Sequence, residues 1–177
     1  MPSQPLAIAM QRVLLADTAA LAQLGRETYA QHFGHLWSPA ALAAYLETNF
    51  GLARLVADLQ PAANVRYYFA ERQGRAVGYV KLKPNRPLPV ASNQPGLELE
   101  KIYFQEAAIG KGAGYAALEW VLRKAAALGE STVWLDVLRS NERAVQFYER
   151  AGFVRVGELP FSTDREAVGM WVMQRAV

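Results

Sequence analysis

Residues 98–129 run Glu98-Leu99-Glu100-Lys101-Ile102-Tyr103-Phe104, then Gln105-Glu106-Ala107-Ala108-Ile109, then Gly110-Lys111-Gly112-Ala113-Gly114, then an apolar-striped segment that closes at Gly129. The first part alternates polar and apolar and is rich in β-formers, so it reads as a strand. From Leu118 the apolar residues fall at Leu118, Val121, Leu122, Ala125 and Leu128, which is helical spacing. Gly129 stands where a left-handed cap would end that helix. Strand and helix are joined through glycines at alternate positions 110, 112 and 114.

Alternate glycines before a helix let the backbone curl so that successive N–H groups aim at one point. The unpaired amides and partial positive charge of the helix start add to this, and the whole suits a phosphate or pyrophosphate. Lys111 supplies a further positive charge. The bland alternative is a flexible strand-to-helix turn. No Gly-Lys-Ser/Thr opens the helix, so this is not a P-loop. The glycine spacing and the polar strand before it also miss the dinucleotide fingerprint.

Outward from this stretch, residues 11–15 read as a first strand. Asp17 or Thr18 is placed to cap a helix running to about His32. Ser38-Pro39 starts a second helix, Ser as N-cap and Pro in the first turn, and residues 52–59 form a further helical piece. Residues 66–71 and 76–83 pair as a hairpin through Gln73-Gly74. Residues 84–96 carry four prolines and no periodicity, so they read as a long loop. Beyond Gly129, residues 132–137 form a buried-type strand. Asn141 caps a short helix to Arg150, Gly152 ends it, and residues 153–156 and 168–173 are closing strands. This order predicts one α/β (α+β) domain over residues 1–177, with a mixed sheet and helices on both faces.

At 177 residues, with 52% hydrophobic and 20% charged, the chain is long enough for one full core. No apolar run reaches the roughly 18 residues of a membrane span. The first residues lack a signal-peptide pattern, and there is no cysteine. A soluble, cytoplasmic protein with no membrane partner is expected. The net charge of +3 is scattered, with only Lys81, Lys83 and Arg86 near one another. A nucleic-acid partner is therefore not expected. His32 and His35 are not joined by a nearby Asp, Glu or Cys, so no metal site is expected either.

Two local patterns, set in this order of elements, resemble the GNAT superfamily of N-acetyltransferases. Gly110-Lys111-Gly112-Ala113-Gly114 is similar to the glycine part of that superfamily's acetyl-CoA loop, although Ile109 stands where Gln or Arg is usual. Val137, Asn141, Ala144, Phe147-Tyr148 and Gly152-Phe153 match its second signature in spacing. Segments 77–82, 99–103 and 134–137, together with Phe33-Gly34 and Leu36-Trp37, look like the bacterial branch that acetylates spermidine and spermine.

The resemblance implies a mostly antiparallel sheet of about seven strands with one splayed parallel pair, residues 97–104 and 132–137. It implies acetyl-CoA as co-substrate, its pantetheine arm along the backbone of Ile102, Tyr103 and Phe104. The pyrophosphate would lie on the amides of Ile109, Gly110, Lys111, Gly112, Ala113 and Gly114, with a contact from Asn141. The acetyl oxygen would take an N–H at a bulge in the strand. The acceptor would be a small amine, most readily a polyamine. An amine of pKa about 10 arrives protonated, so a carboxylate must take its proton. Glu100 fills the position of that base, with Glu98 in reserve on the same strand face, and a raised carboxyl pKa would be its mark. Tyr148 fills the position of the acid for the departing thiolate. Without cysteine, transfer would be direct, within a ternary complex. Acetylation of a protein N-terminus, peptide, amino acid or aminoglycoside stays open, as does a non-catalytic acetyl-CoA-binding regulatory module. A polyamine site should be deep and carboxylate-lined, and a peptide site an open groove. Homodimers are common in that superfamily.

Overall fold

A computed structural model describes residues 7–90 and 94–177. Seven strands form one sheet in the order β1-β2-β3-β4-β5-β7-β6. They are β1 (Ala9–Arg12), β2 (Arg66–Arg72), β3 (Arg75–Pro87), β4 (Pro95–Phe104), β5 (Thr132–Leu138), β6 (Val154–Leu159) and β7 (Met170–Ala176). Every neighbouring pair is antiparallel except β4 and β5, which are parallel. The expected mixed sheet is the one observed.

Helices α1 (Thr18–Phe33), α2 (Pro39–Phe50) and α3 (Leu52–Asp58) cover one face. There Leu21, Leu24, Tyr29, Phe50 and Leu55 pack on Tyr67, Phe69 and Tyr79. Helices α4 (Ala113–Ala127) and α5 (Glu142–Arg150) cover the other. Leu118, Val121, Val145 and Tyr148 pack there on Val80, Leu82, Leu99, Val133 and Leu135. The period-two alternation of each strand sends one set of side chains to each layer.

Local chemistry accounts for most element ends. The Ser38 side chain accepts from the Ala41 amide with Pro39 in the first turn, and Asn141 accepts from the Ala144 amide. Gly74, Gly129 and Gly152 all take positive φ at the turns foreseen for them. The start of the chain differs from expectation. The first strand ends at Arg12, because the Asp17 carboxylate accepts from the Leu14 amide and the Thr18 hydroxyl donates to the Leu15 carbonyl. These bonds fold residues 15–17 into a short turn, and neither side chain caps α1. The two closing strands also lie later than expected, since β6 and β7 pair across Val154↔Gln174 to Leu159↔Met170.

The larger correction concerns residues 84–96. Instead of a long loop, β3 continues to Pro87 and β4 begins at Pro95, with Arg86↔Gly96 and Pro87↔Pro95 in register. Pro84 is tolerated because the ladder is interrupted between Lys83 and Arg86, where a missing N–H leaves nothing unpaired, and Pro87 and Pro95 stand at the strand ends. Asn85 takes φ 54° in that irregularity and donates its amide to Glu130. The Trp134 indole donates to the Arg86 carbonyl, and Leu88 and Val90 pack with Trp134 and Val172. None of residues 84–90 or 94–96 reaches the cavity described below, so the described part of this segment does not shape an acceptor site. The remainder, 91–93, lies outside the described residues.

Gly78 lies opposite Phe104. A Cβ there would overlap the Phe104 ring and lie 2.6 Å from the Tyr103 carbonyl oxygen. Gly78→Ala should destabilise the fold by about 1–3 kcal/mol through overpacking, read as a lower Tm in thermal melts.

Candidate functional site

Strands β4 and β5 pair through only two rungs, Leu97↔Val133 and Glu98↔Trp134. Beyond these rungs they part. Gln105 N donates to Val77 O on β3, so by alternation the peptide groups of Phe104 and Ile102 point away from β3, into the gap. The expected splay is therefore present, with an unpaired strand edge as its wall.

The gap opens into a cavity of about 810 Å³, a size usual for small-molecule sites. Its wall brings together Glu100, Ile102, Tyr103, Phe104, Ile109, Gly110, Gly112, Gly114, Asn141 and Tyr148. Lys111 and Ala113 lie just behind that wall. The Lys111 ammonium donates to the Ala107 carbonyl at 2.9 Å, so its charge stays with the loop. Gly110 and Gly112 have φ of 78° and 79°, and a Cβ at either would meet nothing within 4 Å. The loop thus curls around open space at the first turn of α4, whose leading amides have no partner inside the helix. This cradle fits a pyrophosphate. One amide is lost to it, since Ile109 N donates to Glu106 O. The Asn141 side chain is likewise engaged in capping α5.

Glu100 is the extra residue of a bulge in β4, for Lys81 lies opposite Lys101 and Leu82 opposite Leu99. The bulge turns both Glu100 and Lys101 toward the α1–α3 face, against simple alternation. There Glu100 joins a network of buried charges. Lys81 Nζ lies 3.2 Å from one Glu100 oxygen and 3.0 Å from Asp58, Lys83 Nζ lies 2.5 Å from Glu100, and Lys101 Nζ lies 3.4 Å from its other oxygen. Asp58 also accepts from the Tyr67 hydroxyl at 2.7 Å and pairs with Arg54. Glu98 turns to Lys83 and Arg86 and does not reach the cavity.

These surroundings set the protonation states. Burial alone would raise the Glu100 carboxyl, but the ammoniums of Lys101, Lys81 and Lys83 outweigh it and hold the group at about 2. The raised value expected of a base there is not found. Burial pushes Glu98 and Asp136 up and pushes Lys81 down. The Tyr148 phenol is raised by burial and then by the charge of Asp136, so it keeps its proton at neutral pH and can act only as a donor.

Several wall residues were not singled out from the sequence. Tyr29, Phe33, Tyr45 and Phe161 line the end opposite the glycine loop, and Tyr29 stacks on Tyr45 at 4.3 Å. The apolar spacing of Tyr29, Phe33 and Tyr45 on α1 and α2 marks them only as core, and Phe161 lies in the β6–β7 connection. His32, weighed for metal, instead places Nε2 2.7 Å from the Phe104 carbonyl oxygen. Since a carbonyl only accepts, that nitrogen carries the proton. Finally, the β6–β7 connection crosses to the α1–α2 turn. The Ser38 amide donates to Asp164 at 3.0 Å, Arg165 donates to the His35 carbonyl at 3.3 Å, and the Phe161 ring meets Trp37 edge-on. These contacts tie the β6–β7 connection to residues 35–38, with His35 and Phe161 in the cavity wall.

Comparison with known proteins agrees with this geometry. The family model described as Acetyltransferase (GNAT) family matches residues 25–153. An uncharacterized N-acetyltransferase of Lactobacillus delbrueckii subsp. lactis is 30% identical over 161 residues, covering 91% of this chain and 92% of that protein. An uncharacterized N-acetyltransferase of Mycobacterium tuberculosis is 29% identical over 161 residues, with 91% and 98% covered. Among solved structures, the PaiA N-acetyltransferase of Thermoplasma acidophilum in complex with coenzyme A superposes with a TM-score of 0.74. It covers 97% of this chain and 99% of that one at 18% identity, a likeness of fold.

The Glu100 carboxyl lies below its ordinary value of 4.5, so its ionised form stabilises the fold above that value. This contribution, roughly 3 kcal/mol, is lost as pH falls from about 4.5 toward 2. Glu100→Gln should lower the Tm strongly at pH 7, where Lys81, Lys83 and Lys101 each lose a carboxylate partner. The gap between the two proteins should narrow in melts at pH 3.

Proposed function

The chain belongs to the acetyltransferase (GNAT) family, and from that premise we propose that it transfers the acetyl group of acetyl-CoA to the primary amine of a small molecule, by direct attack in a ternary complex. The observation that carries this reading is the parting of β4 and β5 after two rungs. One unpaired edge, one glycine cradle and one phenol thereby face a common cavity.

Acetyl-CoA, when bound, supplies an activated acyl group and a thiolate leaving group. The chain's own groups do the rest. The amides of Gly110, Lys111, Gly112, Ala113 and Gly114 would hold the pyrophosphate. The gap-facing peptide groups of Ile102 and Phe104 would pair with the pantetheine arm as a strand edge pairs with a neighbour. His32 already donates to Phe104 O and keeps that carbonyl turned into the gap. The bulge at Glu100 leaves peptide groups of β4 outside the ladder, where an N–H can meet the acetyl oxygen. Tyr148, held protonated, delivers its proton to the departing sulfur. Most of the rate then comes from holding amine and acetyl carbon in line.

The acceptor end supports a small substrate over a protein terminus, because the 160–169 connection ties to residues 35–38 across it where a peptide would need an open groove. It favours one ammonium on an apolar or aromatic body. Tyr29, Phe33, Tyr45, Tyr103 and Phe161 supply the surface, and Glu100 and Asp136 are the acids at the wall among the described residues. A polyamine remains the second reading, on the strength of segments 77–82, 99–103 and 134–137. Against it, three lysines already neutralise Glu100, which leaves few carboxylates for a polycation.

Thiol release from acetyl-CoA should be measured against arylalkylamines, spermidine, spermine, amino acids and N-terminal peptides. Turnover is expected on small amines with apolar bodies and not on peptides. Preference for spermine would reverse the choice between the two readings. Tyr148→Phe should lower kcat by about 10²–10⁴-fold with little change in acetyl-CoA affinity. Full activity in that variant would remove Tyr148 from the mechanism.

A further inference from the structure

The cavity wall holds two carboxylates, and they differ in what occupies their oxygens. Glu100 spends both on Lys81, Lys83 and Lys101. Asp136 has no hydrogen-bond or ion-pair partner among the described residues. It stands on β5 two residues beyond the last rung to β4 at Trp134, and by alternation it shares a face with Trp134. That is the face to which Glu98 and Glu100 turn. Its backbone is fixed by pairing with Val172 of β7, and its side chain is half-buried at the cavity wall. Resting on the acetyl-transfer reading, we infer that Asp136 is the catalytic group that takes the proton from the acceptor ammonium, and that Glu100 is a fixed counter-charge for the lysines under the bulge.

Proton affinity points the same way. An ammonium near pKa 10 would give its proton to a group at about 2 only against roughly eight decades of equilibrium. Burial raises Asp136, opposed by Lys101 and Lys83 and helped by Glu100. The titratable and charged groups facing it are therefore Glu98, Glu100 and Lys101 from β4, Lys83 from β3, Tyr45 from α2 and Tyr148 from α5. From β7 it meets the uncharged Val172.

The protons balance as follows. The Asp136 carboxylate takes one proton from R–NH₃⁺, leaving R–NH₂. The nitrogen lone pair forms the C–N bond, and the C–S bond breaks with its electron pair left on sulfur. The Tyr148 hydroxyl gives its proton to that sulfur and is refilled by the second proton leaving the nitrogen. Asp136 returns the first proton to solvent, so one amide, one thiol and one H⁺ are released.

The test uses the intact chain with its best amine from the panel above. kcat and KM are measured from pH 5 to 10 for the unaltered protein, Asp136→Asn, Asp136→Glu and Glu100→Gln, with acetyl-CoA binding followed by calorimetry. Asp136→Asn should lower kcat about 10²–10⁴-fold and abolish the acidic limb of the pH profile. Acetyl-CoA affinity should stay within about twofold, and Tm should not fall, because an unpaired half-buried charge has been removed. Asp136→Glu should regain part of kcat together with an acidic limb. Without any acceptor, the ¹³C carboxyl signal of Asp136 should titrate at higher pH than that of Glu100. Normal turnover of the unaltered protein with an Asp136→Asn variant that keeps its acidic limb and its kcat within threefold overturns this assignment alone, as does a Glu100 signal titrating above Asp136. Failure of the unaltered protein to release thiol with any amine overturns the acetyl-transfer reading and this assignment with it.

Discussion

The cavity of this molecule depends on one missing stretch of hydrogen bonding. Among the described residues β4 and β5 are the only parallel neighbours in the sheet, and their ladder stops after Leu97↔Val133 and Glu98↔Trp134. A sheet interior with unpaired peptide groups is costly unless something satisfies them. Here β3 holds β4 from one side and β7 holds β5 from the other, so the rest of the sheet keeps the gap open. The exposed edge is then a preformed strand partner for an extended arm, and the cavity is a consequence of topology more than of any side chain.

The bulge at Glu100 is the second constraint. Inserting one residue opposite the Lys81–Leu82 step brings two consecutive polar side chains to one face of a buried strand. Three acids and three lysines then meet around β3, β4 and α3, with Asp58, Glu98 and Glu100 facing Lys81, Lys83 and Lys101. Such networks are weak as net stabilisers but severe when one member is removed. This one divides labour between carboxylates that look equivalent in composition. Asp58, Glu98 and Glu100 are matched by ammoniums, and Asp136 at the cavity wall has no such partner among the described residues.

Shape at the aromatic end of the cavity comes from parts far apart in the chain. Tyr29 and Phe33 come from α1, Tyr45 from α2, Tyr103 from β4 and Phe161 from the β6–β7 connection. The tie between Asp164 and Ser38 joins residues 126 positions apart. The aromatic end of the cavity is therefore a product of loop-to-loop contact, and the glycine loop is a product of local backbone geometry.

That division also separates what could be read in advance from what could not. The sequence by itself determined the order of elements, the Ser38 and Asn141 caps, the hairpin turn at Gln73-Gly74, the curl of Gly110 and Gly112, and the spacing around Asn141 and Tyr148. Each rests on residues within a few positions of one another, where propensity and φ preference act directly. Tertiary structure alone decided that residues 84–87 and 95–96 extend a hairpin, because an interrupted ladder excuses Pro84 and the Trp134 indole binds the Arg86 carbonyl. It also decided that Glu100 is held at about 2 and that Asp136 has no ion-pair partner among the described residues. A carboxylate's basicity follows from which charges the fold sets against it. Lys81 and Lys83 reach Glu100 from the neighbouring strand, and strand register is written only once the whole sheet has formed.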